Sequence, residues 1–289
     1  MAKRCFMNLP KAPPLSREDP YPIFTRFSMD TSGGCNKNCP FCAQCGRDPK
    51  EPMTDKLYES ICRQLGELKY RGIVQMWYIG EPLFDPNIIE RCALLRNHVP
   101  RCCIFICSNG ELLESAQQVE DLLDAGVNNI NFNCYNDKTL RRIREMLPDI
   151  IPGARWGRVG HATKRVSFND SRHMTDLHDW TNPKVRKRLD AIAKKRPWAI
   201  RKVSPTGKCA RPMRHLSIAN DGLVPICCAK DYEVVERFVG DANKQTLLEL
   251  WNSDMMYEYR KMLQDGDRSK ECLGCTATMA MAHVVQRVK

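Results

Sequence analysis

No stretch of the 289 residues approaches eighteen uninterrupted apolar residues, which excludes a helix that crosses a membrane. The first twenty residues, MAKRCFMNLPKAPPLSREDP, lack the apolar segment of a secretory signal, so export is not expected. No block recurs at a fixed period, which argues against solenoids and propellers. The six histidines show no metal-ligand spacing; His178, before Asp179-Trp180, is at most a pocket-lining candidate and otherwise a surface or packing residue. Common nucleic-acid-binding motifs are missing, and aromatics do not interleave with the basic residues as base stacking requires. Cysteine and positive charge are what the chain has in excess, with sixteen cysteines and a formal net charge of +11. Apolar residues at 43% and charged residues at 27% are ordinary for a globular protein, here one large domain with a small appendage. In a chain that is not exported, so many thiols point to metal or iron–sulfur ligation before disulfides, and the cytoplasm is the expected compartment.

The residue pattern divides the chain into an extended, proline-rich arm over 1–20, a core over 21–204 and a smaller unit over 205–289. Alternation over 23–28 predicts a first strand, and a glycine- and cysteine-rich loop runs from Thr31 to about Met53. A helix is expected from Thr54-Asp55 to Gly72, with Leu57, Ile61, Leu65 and Leu68 on one face. Strand-like runs at 73–79, 102–107 and 129–133 then alternate with helix-like runs at 86–97, 112–125 and 138–146. Such alternation predicts an α/β fold with a parallel sheet, whose active site lies at the carboxyl ends of the strands. The loop after the first strand, Gly80-Glu81-Pro82 and Ser108-Asn109-Gly110 are thereby expected on one rim. Beyond residue 150 the pattern weakens, apart from a basic helix over 183–196. The C-terminal unit is expected to hold a hairpin, 216–218 and 224–226 around Asn220-Asp221-Gly222, with Pro225 marking an edge strand. A last helix is expected over 246–263.

Cys35, Cys39 and Cys42 lie within eight residues of one another on a glycine-led loop. Three thiolates so spaced suit one corner of an iron–sulfur cubane, or zinc, and three ligands leave one metal position open for chemistry. Cys45 extends the run and is either a fourth ligand or a bystander.

The spacing Cys-x3-Cys-x2-Cys after a first strand, with Phe41 before the last cysteine, resembles the signature of the radical S-adenosylmethionine (radical SAM) superfamily. The segment 77–83, Trp-Tyr-Ile-Gly-Glu-Pro-Leu, resembles that family's Gly-Gly-Glu-Pro segment, with Ile79 in place of the first glycine. Cys107-Ser108-Asn109-Gly110 resembles its Thr-Asn-Gly segment. The resemblance implies a partial (β/α)6-type TIM barrel and a [4Fe–4S] cluster held by Cys35, Cys39 and Cys42. It implies that S-adenosylmethionine chelates the open iron and is cleaved by one electron to a 5′-deoxyadenosyl radical, which abstracts hydrogen from a substrate. By the same resemblance Gly80 and Glu81 contact the methionine amine, Ser108 and Asn109 lie near the ribose, and Phe41 belongs to the cofactor site. A one-electron donor of flavodoxin or ferredoxin type is implied as a partner.

A second set, Cys209, Cys227, Cys272 and Cys275, can supply four thiolates, as a fully ligated cluster or a structural zinc needs. With Gly222, Gly240-Asp241, Leu250-Trp251-Asn252 and the final Cys-x-x-Cys, the segment resembles the SPASM/twitch extension of radical SAM enzymes. Four cysteines fit the shorter twitch form, with one auxiliary [4Fe–4S] cluster. Cys228 is a replacement ligand, a packing residue or a hydrogen-atom donor. A fully ligated cluster has no vacant iron for substrate, so its expected work is to carry electrons during substrate oxidation. Redox-neutral epimerisation, with Cys228 returning hydrogen, is the alternative.

The charge is concentrated. Between Lys184 and Lys202 nine basic residues face one acid, Asp190, a stretch that suits an anionic partner or is simply a solvated helix face. The expected enzyme oxidises a carbohydrate or other small molecule, since no N-terminal domain for peptide capture is evident. The alternatives are a peptide- or protein-modifying maturase and, outside enzymes, a zinc or iron–sulfur protein binding nucleic acid through 184–202.

Overall fold

The structure, a computed structural model, describes residues 15–38, 48–148, 151–152, 165–170, 211–227 and 238–267. The strands β1 (Arg26–Met29), β2 (Ile73–Gln75), β3 (Cys103–Ser108) and β4 (Asn129–Cys134) alternate with four helices. These are α1 (Asp55–Glu67), α2 (Ile88–His98), α3 (Ala116–Asp124) and α4 (Asp137–Met146). The strands β5 (Ile151–Pro152), β6 (Arg165–Asp170) and β7 (His215–Ile218) complete one sheet of order β5-β6-β4-β3-β2-β1-β7, and every pairing in it is parallel.

Short polar side chains start three of these four helices by accepting orphan N–H groups: Thr54 from Leu57, Ser115 from Gln118 and Asn136 from Thr139. Helix α1 stops at Glu67, short of the expected Gly72, because Lys69 turns into the left-handed region at φ 49°. Its face of Leu57, Tyr58, Ile61, Cys62 and Leu65 is buried on the sheet. Each of Leu57, Ile61 and Leu65 contributes about 1.5–3 kcal/mol by leaving water.

Alternation decides what the two faces of the sheet do. Phe27, Met29, Val74, Met76, Ile104, Ile106, Ile130, Phe132, Leu216 and Ile218 share one core with the helix residues. The opposite face is polar and cross-bonded. Ser28 Oγ donates to Gln75 Oε1 at 3.1 Å, Ser167 Oγ to Asn131 Oδ1 at 3.1 Å, and Asn129 Nδ2 to Cys103 Sγ at 3.5 Å. A parallel sheet covered by apolar matter on both faces reads as unbroken apolar runs; this one keeps its inner face for polar contents.

The expected hairpin is corrected. Its turn is present, with Gly222 at φ 93° and its N–H bonded to the Ala219 carbonyl at 3.0 Å. The two strands it joins, however, belong to different sheets. Strand β7 runs parallel along β1 from Arg26↔His215 to Met29↔Ile218, while β8 (Leu223–Pro225) pairs antiparallel with β9 (Phe238–Asp241). Burial explains the choice, since pairing with β1 sends Leu216 and Ile218 into the main core. Pro225 sits at a register irregularity in the two-stranded ribbon, where its missing N–H does least harm. The expected last helix is two, α5 (Leu247–Trp251) and α6 (Asp254–Asp265). A Thr246–Glu249 capping box opens the first, and Ser253 caps the second by accepting from the Met256 N–H.

The rim at the strand amino ends is closed by Arg96. Its guanidinium donates to the carbonyls of Pro100, Cys102 and Gly126 and to Asn128 Oδ1 at 2.6–2.9 Å. That rim is built for stability, and the carboxyl-end rim carries the candidate chemistry.

Candidate functional site

The carboxyl ends of β1, β2 and β3 bring Cys35, Gly80, Glu81, Ser108 and Asn109 together, as the βαβ pattern predicts. Cys39, Phe41, Cys42 and Cys45 lie outside the described residues. So do Cys209, Cys228, Cys272, Cys275, His178 and the 184–202 stretch.

The cysteine loop leaves β1 through Asp30, which is 2% exposed. Its carboxylate accepts from Ser32 Oγ at 3.0 Å, Gly33 N–H at 3.2 Å and Gly80 N–H at 2.9 Å, so one buried acid fixes both the loop and the turn after β2. A Cβ on Gly80 would lie 2.3 Å from Ser32 Oγ and 2.6 Å from Asp30 Oδ1, so only glycine fits. From below, buried Arg91 donates to the carbonyls of Thr31 at 3.4 Å and Met53 at 2.6 Å, the two limbs of the loop. Asp85 at 3.5 Å and Asp55 at 3.1 Å balance its charge.

Glu81 is 3% exposed. Its Oε1 accepts from the Leu83 N–H at 3.1 Å and its Oε2 from the Asn109 N–H at 2.7 Å, with the Ser108 hydroxyl also bonding it. Burial pushes the carboxyls of Asp30 and Glu81 above the ordinary range, and these hydrogen bonds oppose the rise. Each carboxylate oxygen has a second lone pair, so Glu81 keeps accepting capacity toward a cationic amine.

Cys35 is half-buried, and its sulfur accepts from the Lys37 N–H at 3.4 Å and from Asn109 Nδ2 at 3.8 Å. Sulfur-directed N–H groups and solvent access suit a thiolate that ligates a soft metal, so this donor chemistry fits an iron–sulfur site. Cys107, in the segment before Ser108, is likewise half-buried and bordered by N–H donors. It accepts from Asn131 at 3.6 Å and Asn133 at 3.0 Å, and burial pushes its thiol up to about 12.

Sequence reasoning gave no site role to four residues that organise this rim: Asp30, Glu111, Asn136 and Asn220, the last read only as part of a turn. Lys37 Nζ donates to Glu111 Oε1 at 2.6 Å, Asn136 Nδ2 to the same oxygen at 2.7 Å, and the Glu111 N–H to Asn109 Oδ1 at 2.8 Å. Asn220 Nδ2 donates to the Glu51 carbonyl at 2.7 Å, so the turn after β7 holds the closing limb of the cysteine loop. The available signal was positional only: each lies one to three residues beyond a strand end on the chemical rim.

Cys227 is half-buried and follows β8. Its carbonyl accepts from the Tyr78 hydroxyl at 3.4 Å, and Tyr78 packs on Ala219 with Ile79 and Phe238. The turn that carries Gly80 and Glu81 therefore rests on the C-terminal unit.

A parallel half-barrel with a glycine-led cysteine loop and a buried Gly-Glu turn on its carboxyl rim defines a cofactor-dependent enzyme class. The model of the Radical SAM superfamily matches residues 29–151, and that of an iron–sulfur cluster-binding domain (SPASM) matches residues 209–276, together more than half of the chain. The chain belongs to the radical SAM superfamily and carries a C-terminal SPASM/twitch-type extension. It is a partial-barrel enzyme of oxidoreductase type whose cofactors are a [4Fe–4S] cluster, S-adenosylmethionine and a second, auxiliary [4Fe–4S] cluster. That decides the choice between enzyme and nucleic-acid-binding protein. The enzyme requires a substrate and a reductant. Among the described residues no helix is long and apolar enough to cross a membrane.

A curated relative, the S-adenosyl-L-methionine-dependent 2-deoxy-scyllo-inosamine dehydrogenase of Niallia circulans, is 20% identical over 263 residues, 88% of this chain and 93% of that protein. The crystal structure of BtrN in complex with AdoMet and 2-DOIA superimposes with a TM-score of 0.67 at 19% identity, covering 90% of this chain and 95% of the other. The structure of anSMEcpe with AdoMet and a Cp18Cys peptide has a TM-score of 0.53 at 14% identity, covering 86% and 85%.

Proposed function

We propose that this enzyme oxidises an alcohol- or amine-bearing carbon of a polyhydroxylated small molecule, of the carbohydrate or cyclitol class, at the carboxyl rim of its half-barrel. The observation that carries this is the polar inner face of the sheet. Gln75, Asn131 and Ser167 are buried there, with Asn133 half-buried beside them; Asn131 and Ser167 bond to each other, and the remaining lone pairs and the Gln75 amide make a polar lining that suits a polyol. The dehydrogenase relative supports the same class.

In this reading Cys35, Cys39 and Cys42 hold the first cluster, within a core of 21–204 that follows an arm over 1–20. The first cluster, when reduced, supplies the electron that splits S-adenosylmethionine and so generates the hydrogen-abstracting radical. The Gly80 backbone and Glu81 orient the methionine amine, Ser108 and Asn109 lie beside the ribose, and Phe41 belongs to the cofactor site. Cys209, Cys227, Cys272 and Cys275, in the 205–289 unit, hold the auxiliary cluster. Loss of one hydrogen atom from the substrate carbon, then of one proton and one electron, leaves a carbonyl or imine; a cluster held by those four cysteines would supply the acceptor for that electron. The reductant is an acidic flavodoxin- or ferredoxin-like protein, for which the basic 184–202 stretch is suited, and the compartment is the cytoplasm.

The test is anaerobic incubation of reconstituted enzyme with S-adenosylmethionine and a set of C–H-deuterated aminocyclitols and sugars, beside a cysteine-containing peptide. The expected result is deuterium in 5′-deoxyadenosine together with a ketone or imine product from a cyclitol or sugar. Deuterium transfer from the peptide alone would contradict the reading.

A further inference from the structure

Glu111 is the hub of the rim, yet it has no assigned part in the chemistry. Its Oε1 accepts from Lys37 Nζ at 2.6 Å and Asn136 Nδ2 at 2.7 Å, and its Oε2 from Asn36 Nδ2 at 3.4 Å. Its own N–H donates to Asn109 Oδ1, and the Asn109 side chain donates to Asn36 Oδ1 at 2.8 Å. One carboxylate thus joins the loops after β1, β3 and β4, and Asn109 carries the connection on to Glu81. Lys37 and Glu111 are shielded, their side chains 18% and 27% exposed, so the pair is less screened than one on open surface.

Lys37 stands between the first two cysteines of the loop, two residues from Cys35. Its backbone N–H reaches Cys35 Sγ at 3.4 Å, so its ammonium is a positive charge carried on the cysteine loop, and Glu111 pairs with it. We propose that Glu111 is a positioning residue whose charge-neutral latch with Lys37 fixes the cysteine loop and keeps the Lys37 charge from raising the reduction potential of the first cluster. The proposal rests on the reading that Cys35, Cys39 and Cys42 hold that cluster. Reduction adds negative charge, so an uncompensated cation nearby favours the reduced state and an uncompensated anion disfavours it. The signs of the variants follow. Glu111→Gln leaves an extra positive charge and raises the potential, Lys37→Met leaves an extra negative charge and lowers it, and the double variant returns toward wild type. Loosening the loop also weakens S-adenosylmethionine binding, about tenfold for Glu111→Gln, on the scale of one lost charge-assisted hydrogen bond.

The experiment is an anaerobic redox titration of the reconstituted enzyme and the three variants, following the spin-resonance signal that shifts on adding S-adenosylmethionine, with cosubstrate affinity measured by calorimetry. Opposite shifts that cancel in the double variant support the latch. Shifts in the same direction, as general loosening of the fold gives, or no shift at all, overturn it. Cys35→Ala serves as the control for the underlying reading. If that variant keeps the cosubstrate-responsive signal, the cluster assignment itself fails. If it loses the signal while the Glu111 and Lys37 variants do not move oppositely, only the latch fails.

Discussion

The Tyr78 hydroxyl donates to the Cys227 backbone carbonyl at 3.4 Å, across 149 positions of sequence. Tyr78 is two residues from Gly80, and Cys227 is a candidate ligand of the auxiliary cluster, so the two candidate centres share a contact. Tyr78 itself is 8% exposed and packs on Ala219.

Tyr78→Phe removes only the hydroxyl and is expected to lower stability by about 1 kcal/mol, whereas Tyr78→Ala also opens a cavity and costs about 3 kcal/mol. Denaturant unfolding of the reconstituted enzyme checks both. Equal losses would mean that the ring contributes nothing by packing.

Asp30 gives a pH signature. Burial raises its carboxyl, so the folded state holds the proton to a higher pH than the unfolded chain does. Stability from this group is therefore greatest in acid and falls as pH rises from the ordinary carboxylate value toward the raised one, then stays level. Asp30→Asn lacks that titration. The difference in stability, wild type minus variant, is expected to shrink between about pH 4 and the raised value. Unfolding curves over that range measure it, and a difference that grows with pH would show that the carboxyl is not raised.

The thiols should separate by reactivity. Burial pushes Cys62, Cys103 and Cys107 up to about 12 and Cys102 to about 11, so these stay protonated near pH 8. Cys35 is half-buried and bordered by N–H donors. Brief iodoacetamide treatment of cluster-free protein is expected to alkylate Cys35 and spare those four, and reconstitution to protect Cys35. Peptide mass mapping reads the pattern; label on Cys107 ahead of Cys35 would contradict it.

Much of this site is legible in sequence because its parts are local. Cysteine spacing, the Gly80-Glu81 turn and the Ser108-Asn109 turn each lie within a few residues, and the alternation of strands and helices brings them to one rim. What escaped is set by distant partners. The Asn-Asp-Gly turn looks like a hairpin from its own residues, yet β7 gains more by burying Leu216 and Ile218 beside β1 than by pairing with β8. Asp30 and Glu111 carry no motif, and their importance comes from donors 50 and 74 residues away, Gly80 and Lys37. The break after Trp251 is local but subtle, since Ser253 caps a new helix within an otherwise continuous apolar face.

The central claim is that two separate cysteine sets hold two clusters, of which the first alone cleaves S-adenosylmethionine. It is tested most directly by counting iron and 5′-deoxyadenosine for the wild type, Cys35→Ala and the Cys272→Ala/Cys275→Ala pair after anaerobic reconstitution. The account predicts about eight irons per chain in the wild type and about four in each variant, at four per cluster. It predicts 5′-deoxyadenosine from the wild type and the double variant, oxidised product from the wild type alone, and neither from Cys35→Ala. A double variant that keeps about eight irons or forms oxidised product, or a Cys35→Ala enzyme that still releases 5′-deoxyadenosine, would contradict it.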